Sequence, residues 1–191
     1  MSSHHIIRDE QEPPVLVFQL NENWEQLSEI LGWSPILLID PVLRETFESR
    51  QTKIDGYVIE EKSGSNTNIG EKDLVYNDFH IVESLLNWLK NKKCTALNIF
   101  CNRAIMMDLF EKIKNKSLSI PFIFFTDEGK YILKPSSKFK KWYPEKFIID
   151  IINDEITSTE NLVQIEEGFS VEKTGFVRVE VKGELILIKE K

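Results

Sequence analysis

The first two thirds of the chain alternate between apolar runs of strand length and segments with apolar residues at helical spacing. Five runs have the length and composition of buried strands: "VLVFQL" from Val15, "PILLID" from Pro35, "GYVIEE" from Gly56, "TALNIFC" from Thr95 and "PFIFF" from Pro121. Between these runs, apolar residues recur every three or four positions in segments 24–31, 81–89 and 105–113. This spacing predicts amphipathic helices.

The alternation predicts an α/β fold class. Strands joined by helices need crossover connections, so they form a mostly parallel sheet with helices on both faces. Runs that are apolar throughout, such as "ILLI" and "FIFF", fit strands buried on both faces. We therefore predict a three-layer, mostly parallel domain over residues 15–155, with a Rossmann-like or flavodoxin-like winding that the sequence leaves open. Residues 1–14 are predicted to form a disordered N-terminal tail.

The segment after the fifth apolar run is ambiguous. In "PFIFFTDEGKYILKP", Gly129 could turn a β-hairpin and add an antiparallel strand to the sheet. A further helix is predicted to start near Pro144, because the apolar residues between Phe147 and Ile152 fit helical spacing.

The C-terminal part of the chain has a different pattern. From Asn161 onwards there is no helical period. We predict a β-rich extension over residues 156–191 that packs on the main domain. Its last two strands, "FVRVEV" and "ELILIKEK", are predicted to form a β-hairpin about Lys182 and Gly183. A lone hairpin is marginally stable in water, so this one must pack on the domain or meet a partner.

Composition narrows the choice of partner and compartment. The 191 residues include 24 Lys and Arg against 31 Asp and Glu, a net charge of −7, which argues against nucleic acid as a partner. Cys94 and Cys101 lie at the two ends of one predicted strand, on the order of 23 Å apart. A disulfide needs about 7 Å, so both thiols are predicted to be free, as in a reducing compartment. No apolar run approaches a membrane span, so we expect a cytoplasmic protein that does not bind membranes.

Ligands of open parallel sheets bind at the carboxyl ends of the strands. Among the polar residues that this rule selects at the ends of predicted strands are Asp40, Cys101, Asn102, Arg103, Asp127 and Glu128. A cation such as Arg103 at a helix N-terminus opposes the helix dipole, so an anion or an acidic neighbour is expected beside it. Carboxylates from several strands could also hold Mg²⁺. No metal motif is present, and neither a metal site nor a cofactor is predicted.

Each of these candidates has a structural alternative. Asp40 before Pro41 and Asn102 before the next helix are both typical helix N-caps. The "TDEG" segment around Asp127 is an ordinary turn composition. The helix N-terminus after Cys101 could activate its thiol, but free cysteines are mostly small buried hydrophobic residues.

A basic and aromatic segment, "KFKKWYPEKF", is the best candidate for partner contact on an otherwise acidic chain. It places Lys140, Lys141, Trp142 and Tyr143 side by side. Exposed residues of these types can bind another macromolecule. Alternatively, the aromatic rings anchor the segment to the core while the lysines stay solvated.

Catalytic motifs are absent from the sequence: it contains no GXSXG, HEXXH or GXGXXG. The sequence alone therefore favours a non-enzymatic cytosolic interaction or regulatory protein, comparable to an inhibitor or immunity protein, with a protein partner. The alternative is a small ligand-binding or hydrolytic enzyme. Such an enzyme would use a phosphate-containing or nucleotide-like molecule at the carboxyl ends of the strands, near Arg103.

Overall fold

The computed structural model describes residues 12–20, 23–33, 35–61, 70, 72–76, 80–114, 116–153 and 155–191. Most of the predicted N-terminal tail, residues 1–11, lies outside these. The described helices are α1 (Trp24–Leu31), α2 (Arg44–Ser49), α3 (Ile81–Asn91) and α4 (Arg103–Ile113), and a 3₁₀ turn spans Pro41–Leu43. The described strands are β1 (Val15–Val17), β2 (Leu37–Ile39), β3 (Gly56–Glu60), β4 (Leu74–Tyr76), β5 (Leu97–Phe100), β6 (Phe122–Thr126), β7 (Gly129–Lys134), β8 (Lys138–Tyr143), β9 (Ile148–Ile151), β10 (Ile156–Glu160), β11 (Leu162–Ile165), β12 (Gly168–Val171), β13 (Gly175–Val181) and β14 (Ile186–Glu190).

The N-terminal half is a parallel sheet with helices on both faces. Its strands lie in the order β6-β5-β1-β2-β3-β4, and each neighbouring pair is parallel. Because side chains alternate along a strand, β1 packs against both helical layers. Val15 and Val17 pack with Leu27 of α1 and Phe47 of α2. Leu16 packs on the other face, with residues of α3 and α4.

The C-terminal half is antiparallel. A turn at Asp127 and Glu128 leads from β6 into β7, and β14, β9, β12 and β11 then extend the same sheet. In the described part of the chain this sheet has eleven strands. A second sheet, in the order β10-β13-β8, packs on its antiparallel end. The core between the two sheets includes Phe139, Val177 and Ile188.

The predicted fold class is wrong for the protein as a whole. Of the twelve strand pairings among the described residues, five are parallel and seven are antiparallel, so the large sheet is mixed. The parallel part of the sheet ends at β6, because the two-residue turn after β6 leaves no room for a crossover helix. A chain that reverses in so short a turn can only return antiparallel. The Gly129 hairpin that the sequence left open is therefore present, with Thr126 opposite Gly129.

Two further expectations about the C-terminal half are wrong. No helix starts at Pro144, since the apolar residues that fit helical spacing belong to β9, where Ile149 and Ile151 alternate inward. The predicted hairpin about Lys182 and Gly183 does not form either. Its two strands are present, but β13 pairs with β8 and β10, whereas β14 pairs with β7 and β9 in the other sheet. The domain boundary at residues 155 and 156 stays a prediction.

The expectation about the cysteines is confirmed, since Cys94 and Cys101 are both free. Among the described helices, none combines the length and the hydropathy that crossing a membrane would require. The cytoplasmic location stays a prediction.

Candidate functional site

The order of the parallel strands reverses beside β1. The chain runs outward from β1 through β2 and β3 to β4, and then returns to place β5 and β6 on the other side of β1. The carboxyl ends of β1 and β5 therefore form a topological switch point, the usual position of a ligand site in an open α/β sheet. We call the polar residues at this end of the sheet the carboxyl rim: Gln19, Asp40, Asn102, Arg103, Asp127 and Glu128.

Asn102 joins the two strands of the switch point. Its side-chain N–H group donates to Gln19 Oε1 at 2.8 Å, across the boundary between β5 and β1. Its Oδ1 accepts from the backbone N–H of Ile105 at 2.9 Å and caps α4, which is the structural role that its sequence position suggests. The Asn102 side chain is thus fixed at both ends.

Arg103 is the cation of the rim. Its Nη1 donates to Glu128 Oε1 at 3.1 Å, and its backbone N–H donates to Asp127 Oδ1 at 3.3 Å. The side chain is 58% exposed, and its other guanidinium N–H groups make no hydrogen bond to a described residue. Acidic neighbours therefore explain the position of a cation at the start of α4, and donors remain for a bound anion.

Glu128 is held by residues from three elements. Lys189 on β14 donates to Glu128 Oε2 at 3.2 Å, and the Tyr131 hydroxyl on β7 lies 3.4 Å from the same oxygen. Hydrogen bonds from Lys189 and from Arg103 at the start of α4 hold the pKa of Glu128 below its ordinary value, despite the opposing effect of burial. The carboxylate that positions Arg103 is thus ionised at neutral pH.

Asp40 and Cys101 lie at the same end of the sheet as Arg103 but have different surroundings. Asp40 Oδ1 accepts from the backbone N–H of Val42 at 2.9 Å, so it caps the 3₁₀ turn after β2. Cys101 is fully buried. Burial, together with the charge of Asp127, raises the pKa of the Cys101 thiol to about 12. The thiol is therefore protonated at neutral pH and is not an activated nucleophile.

We expect Cys101 to resist alkylation in the folded protein. With iodoacetamide at pH 8, its modification should be about a thousandfold slower than that of an exposed cysteine with an ordinary pKa, because only the thiolate reacts. Mass spectrometry of tryptic peptides measures the rate, and Cys94, which is half-buried, should react first. Reaction of both cysteines at the rate seen in denaturant would contradict the burial and the raised pKa.

The four predicted partner-contact residues do not form one surface. They alternate along β8, so that Lys140 and Trp142 point outward while Lys141 and Tyr143 point toward the other sheet. Trp142 is 53% exposed and lies opposite Phe176, whose ring is 4.4 Å from Lys140 Nζ. Only Tyr143 of the two aromatic residues anchors the segment to the core.

Lys141 and Tyr143 belong to a partly buried polar group that we call the inner cluster: Lys130, Lys141, Tyr143 and Glu190. The Glu190 carboxylate accepts hydrogen bonds from Lys141 and from the Tyr143 hydroxyl, the latter at 2.5 Å, and Lys130 Nζ lies 3.3 Å away. Burial alone would raise the pKa of Glu190, but these three partners hold it below its ordinary value. Burial and the adjacent carboxylate raise the pKa of Tyr143.

The described carboxylates do not form a metal centre. In the described ranges, no three His, Cys, Asp or Glu side chains lie close enough together to hold a metal ion. The hypothesis that carboxylates from several strands share Mg²⁺ therefore has no support in these residues.

A cleft of about 820 Å³ lies away from the rim, beside the connection from α4 to β6. Its two lysines, Lys114 and Lys116, are already paired with Glu111 and Glu83. It therefore offers an anion little free positive charge, and the rim remains the candidate site.

The sequence identified six of the residues at or beneath the rim, including Glu128, and the structure adds three with direct roles. Asn102, Arg103 and Asp127 lie together as predicted from their strands, and Asp40 and Cys101 lie at the same end of the sheet. Gln19, Tyr131 and Lys189 were missed. Gln19 was hidden inside the predicted run "VLVFQL", because β1 ends earlier than predicted, at Val17. Tyr131 and Lys189 reach the rim through antiparallel pairings that no local pattern indicates.

No protein-family model matches the sequence, and no curated protein matches it. Solved structures share its fold. Thiamin pyrophosphokinase from Geobacillus thermodenitrificans matches with a TM-score of 0.63 at 8% identity, over 95% of this chain and 98% of that one. The enzyme from Bacillus subtilis matches with a TM-score of 0.61 at 12% identity, over 94% and 99%. A probable thiamine pyrophosphokinase from Staphylococcus saprophyticus subsp. saprophyticus matches with a TM-score of 0.58 at 14% identity, over 93% and 98%.

This likeness corrects two interpretations. The fold is that of solved thiamine pyrophosphokinases, with a large mixed sheet, and is not Rossmann-like. The interpretation of the chain as a protein-binding protein conflicts with the same likeness, and a protein partner has no support from it.

Proposed function

We propose that the protein is a small-molecule enzyme that uses a phosphorylated substrate at the carboxyl rim, with pyrophosphoryl transfer as its reaction class. The observation that carries the proposal is the likeness in fold, over more than nine tenths of both chains, to structures named thiamine pyrophosphokinases. An enzyme of that name transfers a pyrophosphoryl group to thiamine. The proposal agrees with the alternative from the sequence, a phosphate-containing molecule bound near Arg103, and replaces the non-enzymatic interpretation.

Arg103 is the residue that we assign to the phosphate. The guanidinium N–H groups that Glu128 does not use can donate charge-assisted hydrogen bonds to phosphate oxygens. The eleven-residue helix α4 adds the positive end of its dipole at the same place. Glu128 fixes the guanidinium, so that little side-chain entropy is lost when an anion binds.

The chemistry needs stabilisation of negative charge more than it needs a nucleophile from the protein. In pyrophosphoryl transfer from a nucleoside triphosphate, the alcohol oxygen bonds to the β-phosphorus, and the bond between that phosphorus and the oxygen bridging it to the α-phosphorus breaks. The nucleoside monophosphate leaves with the bridging oxygen, and the alcohol proton passes to solvent. Charge builds up on the phosphate oxygens, where fixed hydrogen-bond donors lower the barrier. Arg103 supplies such donors. No step of the proposal passes through a metal bound by the described carboxylates.

Calorimetric titration with ATP and with AMP tests the binding step. We expect ATP to bind more tightly, and Arg103→Ala to weaken ATP binding about tenfold, the loss of one charge-assisted contact. Arg178→Ala is the matched control, because Arg178 pairs with Glu160 on the second sheet. Equal ATP affinity in wild type and Arg103→Ala would contradict the assignment of Arg103.

Incubation with thiamine, ATP and Mg²⁺, followed by mass spectrometry, tests the reaction. We expect thiamine diphosphate and AMP in equal amounts, and less of both with Arg103→Ala. ATP binding without product would reject the reaction class but keep the ligand site. Absence of both binding and product would reject the proposal.

A further inference from the structure

A small pocket lies at the end of the sheet opposite the carboxyl rim. Its volume is about 300 Å³, and it is formed between the last turn of α1 and the segments that lead into β1 and β2. Glu12, Glu29, Trp33 and Asn98 are among its lining residues, and Pro13 and Pro35 complete two of its walls. This volume is at the lower end of the range for small-molecule sites.

The buried side-chain amide of Asn98 has no hydrogen-bond partner in the part of the chain that the structure describes. It lies in β5, between Leu97 and Ile99, whose side chains pack toward α3 and α4, so the Asn98 side chain points to the opposite face, where α1 lies. Asn98 is only 8% exposed. Its backbone N–H donates to Pro14 O at 3.0 Å, but its side chain makes no hydrogen bond to a described residue. Buried polar side chains without partners are rare, because each costs free energy.

The other groups of the pocket favour a positive charge. Trp33 is 64% exposed, and an indole face is the best aromatic surface for a cation. Glu12 and Glu29 supply two carboxylates, and none of the described residues that line the pocket is Lys or Arg. The last turn of α1 also carries no basic residue, so the negative end of its dipole is not offset there.

We propose that this pocket binds a small organic cation through an ammonium or guanidinium group. The cation lies against Trp33, its charge faces Glu12 and Glu29, and one of its N–H groups donates to the Asn98 carbonyl oxygen. Each part of the pocket then has a role, including an amide that the fold itself leaves without a partner among the described residues. The site is distinct from the carboxyl rim and does not depend on the function proposed there.

Calorimetric titration with n-butylammonium and n-butylguanidinium tests the proposal, with n-butanol as the uncharged probe of the same length. We expect at least one cation to bind with Kd of about 1 mM or tighter, and butanol to bind at least about tenfold more weakly. Glu29→Gln should weaken cation binding about tenfold. Glu25→Gln removes the same charge from the first turn of the same helix, outside the pocket, and should leave the affinity unchanged.

Asn98→Leu separates a ligand-binding role from a structural one. Leucine branches at the same carbon atom as asparagine but has no polar atoms, so this variant should lose cation binding while its Tm stays the same or rises, because an unpaired buried amide is removed. A fall in Tm would mean that Asn98 stabilises the fold, and would overturn the proposal. Wild-type affinity in Asn98→Leu, equal effects of the two glutamate variants, or no binding of either cation would also overturn it.

Discussion

Replacing Glu190 with alanine should lower the free energy of unfolding by about 3 kcal/mol, as expected when one member of a mostly buried ion pair is removed. The Glu190 side chain is 9% exposed and is the shared acceptor of the inner cluster. Its removal leaves the buried Tyr143 hydroxyl without its acceptor and Lys141 without its counter-ion. Lys141 is 38% exposed and can still reach water, which keeps the loss at the lower end of the range for such pairs.

Urea denaturation at pH 7, followed by circular dichroism, measures this loss. Glu172→Ala is the matched control, because Glu172 is an exposed glutamate of the same part of the chain. The control should change the unfolding free energy by less than about 0.5 kcal/mol. Equal small losses in both variants would show that the inner cluster adds nothing to stability.

The stability difference between wild type and Glu190→Ala should depend on pH. Because its partners hold the pKa of Glu190 below the ordinary value, its contribution to stability is present above the unfolded-state pKa and is lost as the pH falls through the folded-state pKa. The difference in unfolding free energy between wild type and Glu190→Ala should therefore shrink below about pH 4.5, an ordinary glutamate pKa.

Strand β14 connects this cluster to the candidate site. Lys189 and Glu190 are neighbours on β14, and their side chains point to opposite faces of the sheet. Lys189 reaches Glu128 at the rim, while Glu190 reaches Lys141 and Tyr143 between the two sheets. The position of Arg103 therefore depends, through Glu128 and Lys189, on a strand from the C-terminal end of the chain.

The N-terminal half could be predicted from the sequence because its signals are local. The predicted runs from Val15, Pro35, Gly56 and Thr95 contain β1, β2, β3 and β5, and the run from Pro121 contains all of β6 except Thr126. The short strand β4 was not predicted. Helix α1 ends at Leu31, before Gly32, as its spacing indicates. Each of the predicted elements is defined by a stretch of a few residues whose period can be read directly.

Strands β13 and β14 were predicted, but their pairings could not be, because the paired strands are distant in sequence. Nothing near β14 indicates that its neighbours are β7 and β9, and the short segment 182–185 resembles a hairpin turn although it joins two sheets. The apolar residues from Phe147 to Ile152 fit both a helix and a strand. The same holds for the residues of the candidate site. Asn102 and Asp40 are helix caps that the local sequence predicts, whereas the position of Lys189 depends on the pairing of β14 with β7.

Gly168→Ala should destabilise the protein by about 4 kcal/mol, the sum of a backbone conformation that L-residues rarely adopt and a collision with another strand. Gly168 has φ +128°, and a Cβ atom there would lie 2.7 Å from the backbone oxygen of Ile149 on β9. That oxygen belongs to a strand paired with β12, so it cannot move without disturbing the sheet. Urea denaturation measures the loss of stability.

Gly183→Ala is the control that separates the two causes. Gly183 also has a positive φ, +115°, but a Cβ atom there meets nothing within 4 Å. This variant should lose only the conformational part, about 1–2 kcal/mol. Equal losses in the two variants would mean that the backbone conformation accounts for the whole effect and that β9 yields to the added methyl group. The larger loss at Gly168 would instead show that this end of the sheet is rigid.

Gly129 ends a turn of similar sequence, "TDEG", where Gly168 ends "IEEG". A Cβ atom at Gly129 would lie 2.9 Å from the backbone oxygen of Glu190. The same rigidity at this turn would therefore hold β14, and with it Lys189, at the rim.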